Sequence, residues 1–261
     1  MPSLNSFAAH ARIATPQSLR SLAVTAGAAL TVLMVSGQAS AAPASGPGHM
    51  LELHGGSYGP AVDGAFGDPD KTPWADTFGA KRLTLLRGHF DWELWDGFGT
   101  LAAGLGAGYG WVDGFARDAQ GEATEDEVGF NVAPVSVSVA YRLDWAARRF
   151  GFPLVPYGKL GLTTAFWWAT NARDDIATAK GADGATRRGA GVTFGWQAAG
   201  GVMFLLDVLA PGMAASMQEE AGVRNSFLFA EYNSSVLDDF GGGRSLDLSD
   251  DALSFGLAFE F

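Results

Sequence analysis

In segment after segment of this chain, large apolar residues fall on every second position and small or polar residues stand between them. Side chains on a strand alternate between its two faces, so each such segment predicts a strand with one apolar face. The last nine residues show the pattern most cleanly. Leu253, Phe255, Leu257, Phe259 and Phe261 share one side, and Ser254, Gly256, Ala258 and Glu260 share the other. Seven earlier segments read the same way: 49–58, 83–95, 98–111, 130–143, 155–168, 191–206 and 225–233. In 83–95, Leu86, Phe90, Trp92 and Leu94 alternate with Arg87, His89, Asp91 and Glu93. In 98–111, Leu101, Leu105, Tyr109 and Trp111 alternate with a row of glycines from Gly104 to Gly110. Segment 225–233 leaves two readings open. With Glu231 inside, either Phe227 and Phe229 turn inward or a bulge re-aims them.

Eight such strands are each near or above the 9–11 residues a tilted membrane strand needs. The connections alternate in character. Those at 59–82, 112–129, 169–190 and 234–252 are long and polar, whereas Asp96-Gly97 follows the second strand directly. No segment after residue 41 has the 18 or so consecutive apolar residues of a helical span, and hydrocarbon admits only helices and closed barrels. The fold class expected is therefore all-β: an eight-stranded antiparallel up-and-down transmembrane β-barrel. Long loops lie outside, short turns and both termini lie in the periplasm, and the whole sits in a Gram-negative outer membrane. Aromatics near strand ends form two girdles. Trp95, Phe98, Trp145, Tyr157, Phe259 and Phe261 belong to the lower one, and Tyr109, Trp111, Phe166, Trp168, Phe194 and Trp196 to the upper one.

Residues 1–41 read differently. They carry Arg12 and Arg20, no acid, an apolar run from Leu22 to Val35 and a small-x-small site at Ala39-Ser40-Ala41. That is the pattern of a cleaved signal peptide, leaving 42–261 as one barrel domain with four long external loops. Removing two arginines from 17 basic residues leaves 15 against 28 acids, a charge of −13. Binding to nucleic acid through a basic patch is thereby disfavoured. The chain has no cysteine, so it has neither disulfides nor thiolate metal sites.

Alternation also assigns the lumen. Glu52, His54, Arg87, His89, Asp91, Glu93, Arg142 and Lys159 all fall on inward positions and form a polar network that fills the interior of a narrow barrel. A two-residue turn at Asp96-Gly97 sets Trp95 opposite Phe98. Arg87 then faces Gly106, His89 faces Gly104 and Asp91 faces Ala102, with the glycine row making room for the large groups. Residues 207–223, with Pro211 suited to a first helical turn and Leu209, Met213 and Met217 at four-residue steps, read as a short amphipathic helix at the periplasmic membrane surface or as an ordered turn.

Three kinds of chemistry compete with this bland interior. His54 and His89 with Glu52, Asp91, Glu93 or Ser136 offer the residue types of a lipid hydrolase or acyltransferase, yet the plug explains the same residues. Gly104-x-Gly106-x-Gly108-x-Gly110 lacks the dinucleotide fingerprint, because Tyr109 occupies the third glycine position. The loops hold Asp63, Asp68, Asp70 and Asp76; Glu122, Glu125, Asp126 and Glu127; and Asp238, Asp239, Asp247, Asp250 and Asp251. Such carboxylates suit bridging divalent cations beside lipopolysaccharide, although no EF-hand pattern is present. Arg173, Lys180, Arg187 and Arg188 give the third loop a basic character suited to lipid phosphates or the acidic loops.

In architecture the chain resembles the small eight-stranded outer-membrane barrels of the OmpA/OmpX type. It is more closely similar to an outer-membrane β-barrel family of unassigned function described mainly from myxobacteria. The resemblance lies in Leu51–Gly56, Leu86–Tyr109, Tyr141–Leu162, Gly195–Asp207, Asn225–Tyr232 and Leu253–Phe261. It implies location and fold and transfers no catalytic residue, metal site or cofactor. It also implies that Phe255, Leu257, Phe259 and Phe261 form the carboxy-terminal signal read by the barrel-assembly machinery. The role expected is structural, or a surface interaction carried by the external loops. The alternatives are a lipid-modifying barrel enzyme and a narrow solute conduit, with a secreted β-sandwich behind both.

Overall fold

The computed structural model describes residues 48–66, 70, 72–118, 121–180, 184–242 and 245–261. The signal-peptide reading of 1–41, and Asp68 among the acidic loop residues, lie outside them. Eight long antiparallel strands close into a barrel: β1 (His49–Tyr58), β2 (Leu83–Trp95), β3 (Thr100–Arg117), β4 (Ala123–Arg142), β5 (Leu154–Thr170), β8 (Ala190–Leu205), β9 (Asn225–Leu237) and β10 (Asp250–Glu260). A small hairpin of β6 (Thr178–Lys180) and β7 (Thr186–Arg188) stands in the loop between β5 and β8. Every long strand pairs with its sequence neighbour. The first and last meet from Met50↔Glu260 to Gly56↔Ser254, so no edge is left over. Among the described residues no helix is long and apolar enough to cross a membrane.

The outward face is an apolar belt in which Leu86, Leu105, Val137, Leu160, Leu162, Leu228 and Phe255 are all half exposed or more. In water such a continuous surface would be an aggregation liability; around a closed barrel it is the lipid-facing band. Trp95, Phe98, Trp145, Tyr109, Trp111, Phe194 and Trp196 are exposed at its margins. Tyr157 is not one of them. It is buried in the lumen, as its place on the inward parity of β5 requires.

Two features differ from the sequence reading. The strands run on past the apolar belt: β4 has 20 residues, about twice what a tilted membrane strand needs. Its upper part, which carries Thr124, Glu125, Asp126 and Glu127, pairs with the end of β3 from Phe115↔Glu127 to Arg117↔Ala123. The β2–β3 hairpin is also shifted. Its loop is Asp96–Gly99 rather than a two-residue turn, and an irregularity between Glu93 and Trp95 sets Trp95 opposite Leu101. Arg87 therefore faces Gly108, His89 faces Gly106 and Asp91 faces Gly104. The displacement is two residues, and two residues preserve parity, so each side chain keeps its side of the sheet. The pairing of β9 with both neighbours is continuous, and Phe227 and Phe229 point inward without a bulge.

The lumen is layered. An upper apolar cluster joins Tyr58, Leu83, Leu85, Val112, Phe130, Val132 and Trp167 of the wall to Val62, Trp74, Phe78, Leu246 and Leu248, which the loops fold down into the mouth. Helix α1 (Pro73–Phe78) brings Trp74 edge-on to Phe130 at 5.3 Å, and Phe130 stacks on Trp167 at 6.1 Å. The last loop is held there by Leu248 N–H donating to Leu237 O (2.8 Å) and Thr193 Oγ1 donating to Leu246 O (3.2 Å). A lower apolar cluster of Met50, Val155, Tyr157, Met203, Phe227, Phe229 and Ala258 closes the periplasmic end. Below it lie helix α2 (Trp145–Phe150) and helix α3 (Pro211–Ala221), the latter with Pro in its first turn and no buried residue.

Between the clusters, large inward side chains alternate around the wall with missing ones: His54 beside Gly256, Asp91 beside Gly104, Gln197 beside Gly161, and Tyr157 and Glu231 on either side of Gly201. A methyl on Gly201 would lie 2.8 Å from the Tyr157 ring, and one on Gly161 would lie 3.0 Å from Ser138 Cβ. A methyl on Gly106 would press into the His89 ring and lie 2.6 Å from Ser136 Oγ. Gly106→Leu is therefore expected to lower stability by about 1–3 kcal/mol through overpacking. The unfolding midpoint in urea, with the barrel reconstituted in vesicles, checks this.

Candidate functional site

The polar belt sits where β1, β2 and β9 bring carboxylates against Lys159 and Arg142. Lys159 of β5 crosses the lumen to donate to Glu52 of β1, and its ammonium lies 3.4 Å from Glu231 of β9. Tyr157 Oη donates to the same Glu231 carboxylate at 3.0 Å. One step lower, Arg142 of β4 pairs with Glu93 of β2, whose other oxygen accepts from Gly48 N–H at 2.9 Å. The same guanidinium reaches Met50 Sδ at 2.6 Å. All of these side chains are buried. An ion pair in this setting is held by geometry, because its desolvation is costly and only a close, hydrogen-bonded partner offsets it.

The remaining residues read from sequence as lumen-facing are there but are less fully engaged. His54 Nδ1 and Ser254 Oγ are 3.1 Å apart, and His89 Nε2 and Ser136 Oγ are 3.5 Å apart. The two imidazoles lie 6.1 Å from each other, and His54 packs on Phe229 at 5.5 Å. Asp91 is buried beside them. Arg87 borders a cavity of about 10 Å³ under the upper apolar cluster, in electrostatic reach of Glu231, Tyr58 and Asp250. That volume is close to the minimum for one water molecule. Neither His–Ser pair is joined by a carboxylate into a relay, and both are enclosed by wall and plug.

Glu231, Tyr157, Gln197 and Asn233 complete the belt. On β9, Glu231 and Asn233 follow the inward Phe227 and Phe229 at steps of two, and Tyr157 and Gln197 hold the inward parity of β5 and β8. Of the two sequence readings of this strand, the structure has the one with Glu231, Phe227 and Phe229 all inward. The lumen is polar only across its middle.

Several loop carboxylates have intramolecular work. Both oxygens of Asp63 accept from the first turn of α1, at Trp74 N (2.7 Å) and Ala75 N (3.1 Å). Asp250 pairs with Arg82 at 2.9 Å and also accepts from Gly59 N–H. Asp239 accepts from Phe194 N–H at 2.7 Å, and Asp118 accepts from Glu122 N–H at 2.9 Å. Among the described residues, no group of three or more His, Asp or Glu side chains is arranged to hold a metal ion. The residues of the carboxy-terminal strand, Phe255, Leu257, Phe259 and Phe261, line the outward side of β10. Phe261 exchanges backbone hydrogen bonds with His49, and its carbonyl accepts from Arg224.

Comparisons with solved structures align bacterial surface and outer-membrane proteins with most of this chain. Ail of Yersinia pestis, in complex with the heparin analogue sucrose octasulfate, aligns over 82% of this chain and 97% of its own at 11% identity and a TM-score of 0.41. Neisserial surface protein A aligns over 83% and 95% at 12% identity and a TM-score of 0.40. Ail in a phospholipid bilayer nanodisc aligns over 83% and 100% at 13% identity and a TM-score of 0.37. No family model and no curated protein matches the chain. The closed sheet and its lipophilic belt make the chain an integral β-barrel of the bacterial outer membrane.

Removing one partner of the central pair tests the belt. Lys159→Met leaves Glu52 and Glu231 facing each other without a cation, and is expected to cost about 3–5 kcal/mol. The double variant Glu52→Gln/Lys159→Met is expected to recover part of that loss. Urea titration of both variants in the same vesicles gives the comparison.

Proposed function

We propose that this barrel acts through its outer surface and its external loops, as a structural or surface-interaction protein, and not through its lumen. The observation that carries this reading is the pair of apolar clusters lying above and below the polar belt. A conduit needs continuous wet passage; here Phe130, Trp167, Leu246 and Leu248 occupy one end and Met203, Phe227 and Phe229 the other. The ordered outer structure points the same way. The β3–β4 hairpin, the β6–β7 hairpin and α1 rise above the belt, and their polar residues meet whatever lies outside the cell. The partners proposed are outer-membrane lipid and lipopolysaccharide around the wall, with divalent cations bridging acidic loops to phosphates. The assembly machinery would take up the last strand. The likeness to the myxobacterial family of outer-membrane barrels belongs to the same proposal.

A catalytic role is not part of it. The only His–Ser contacts among the described residues with any resemblance to a nucleophile and its base are enclosed in the lumen, where a lipid acyl chain has no path to them.

Planar-bilayer recording with the purified, refolded protein is the test. No discrete conductance steps are expected, and regular single-channel openings would overturn the closed-lumen reading. Lipid hydrolysis by the wild type and by His54→Ala/His89→Ala is expected to be equal and at background. Turnover lost in the double variant would establish an enzyme.

A further inference from the structure

A concavity lies on the outward face of the wall, where β3, β4 and β5 leave the apolar belt. It encloses about 380 Å³. Strand register explains why it exists. Trp111, Asn131 and Trp168 lie side by side on the three strands, and one step higher come Asp113, Gly129 and Thr170. The central strand thus contributes small residues between larger neighbours, and a trough runs along it. Tyr109, one step below, donates its hydroxyl to Asn131 Oδ1 at 2.5 Å. Its ring stacks on Trp111 (5.6 Å, 22°) and on Trp168 (6.1 Å, 29°), giving an aromatic base of three rings.

Carboxylates stand above that base. A methyl on Gly129 would meet Thr170 Oγ1 at 2.6 Å and Asp113 Oδ1 at 3.4 Å, so the Asp113 carboxylate leans over the glycine floor. Asp174 closes the far side. It is held at a φ of 59° with its N–H donating to Asn171 O (2.9 Å), while Asn171 Oδ1 accepts from Arg173 N and Asp175 N. No basic side chain lines the trough. The Lys81 ammonium donates to the backbone carbonyl of Asp113 at 2.8 Å.

The geometry points to a binding site for an organic ammonium group, seated on the Tyr109–Trp111–Trp168 rings and between the carboxylates of Asp113 and Asp174. Ring faces carry negative quadrupole density and attract cations within about 6 Å, and two carboxylates over the same space add to that attraction and oppose any anion. A quaternary or primary amine on a short stem matches both features; a phosphate or sulfate matches neither. The site opens sideways at the height where the apolar belt ends, so the ammonium comes either from a free small molecule or from the headgroup of a neighbouring lipid.

Choline and its uncharged isostere 3,3-dimethylbutan-1-ol serve as probes, titrated calorimetrically into the full barrel in nanodiscs of phosphatidylglycerol alone. Saturable millimolar binding of choline, with none of the isostere, is expected. Asp113→Asn/Asp174→Asn is expected to weaken it by about fivefold, as for two partly exposed charge contacts. Gly129→Val fills the floor and is expected to abolish it. Heat-modifiable migration in detergent confirms that each variant is folded. If Gly129→Val does not fold, the Asn pair alone decides. Choline binding that weakens in discs containing phosphatidylcholine assigns the site to a lipid headgroup, and binding unchanged there assigns it to the free cation. Absence of choline binding, equal binding of the isostere or of glucose, or an affinity indifferent to the Asn pair would overturn the proposal.

Discussion

The seam between β1 and β10 is the constraint on which the rest depends. Seven residue pairs, from Met50↔Glu260 to Gly56↔Ser254, join the two ends of the sheet. Without them two strands would present rows of unpaired N–H and C=O groups to hydrocarbon, each costing several kcal/mol. Closure removes that cost and fixes two further things. It dictates that inward and outward residues alternate on every strand, and it limits eight strands to an interior just wide enough for side chains. Both the exposed Leu, Val and Phe of the wall and the crowding of the lumen follow from it.

Crowding explains the glycines better than flexibility does. Around the polar belt, a bulky residue on one strand is repeatedly matched by Gly or Ala on the next, as with Asp91 and Gly104 or Tyr157 and Gly201. Backbone approaches demand the same economy: a methyl on Gly56 would lie 2.5 Å from Leu253 O. The arrangement lets Lys159 reach across to Glu52 and Glu231, and Arg142 reach Glu93, at short range. Charges enclosed this way are bound to one geometry, because the low-dielectric interior makes a lost partner expensive.

Much of this was legible in the sequence, and the parts that were not have identifiable causes. Period-2 alternation located all eight strands and placed Glu52, His54, Arg87, His89, Asp91, Glu93, Arg142 and Lys159 on the inward parity. β1 and β2 were read to the residue. The β2–β3 register differs from the sequence expectation because Asp96-Gly97 has the composition of a complete turn, while the irregularity at Glu93/Trp95 takes residues out of the ladder. β3 runs on past Trp111 to Arg117 and β4 begins at Ala123, ahead of Phe130, because Asp113 on β3 and Thr124–Glu127 on β4 interrupt the apolar outward row that marks the membrane part. Above the membrane, water tolerates polar side chains on either side, so a strand there shows no alternation to read. The trough is illegible in the sequence for a related reason: Trp111 and Trp168 read as interface aromatics, and only three-strand pairing sets them on either side of Asn131, with Asp113 and Thr170 on either side of Gly129.

The loops show why local sequence undersells the outer half of the molecule. Residues 245–249, Ser-Leu-Asp-Leu-Ser, read as a polar link, yet Leu246 and Leu248 are among the most deeply buried side chains described. Two leucines spaced by two, with Asp247 turned to accept from Ser249 N–H at 2.9 Å, make a short inward-facing stitch. Leu248 N–H and Thr193 Oγ1 anchor it to the wall. The carboxylates flanking it are then occupied in positioning: Asp250 ties to Arg82 and Gly59, and Asp239 ties to Phe194. A loop that is acidic in composition is thus folded by its few apolar residues, and its acids become local struts. Contacts with the outside fall instead to side chains that no such tie consumes.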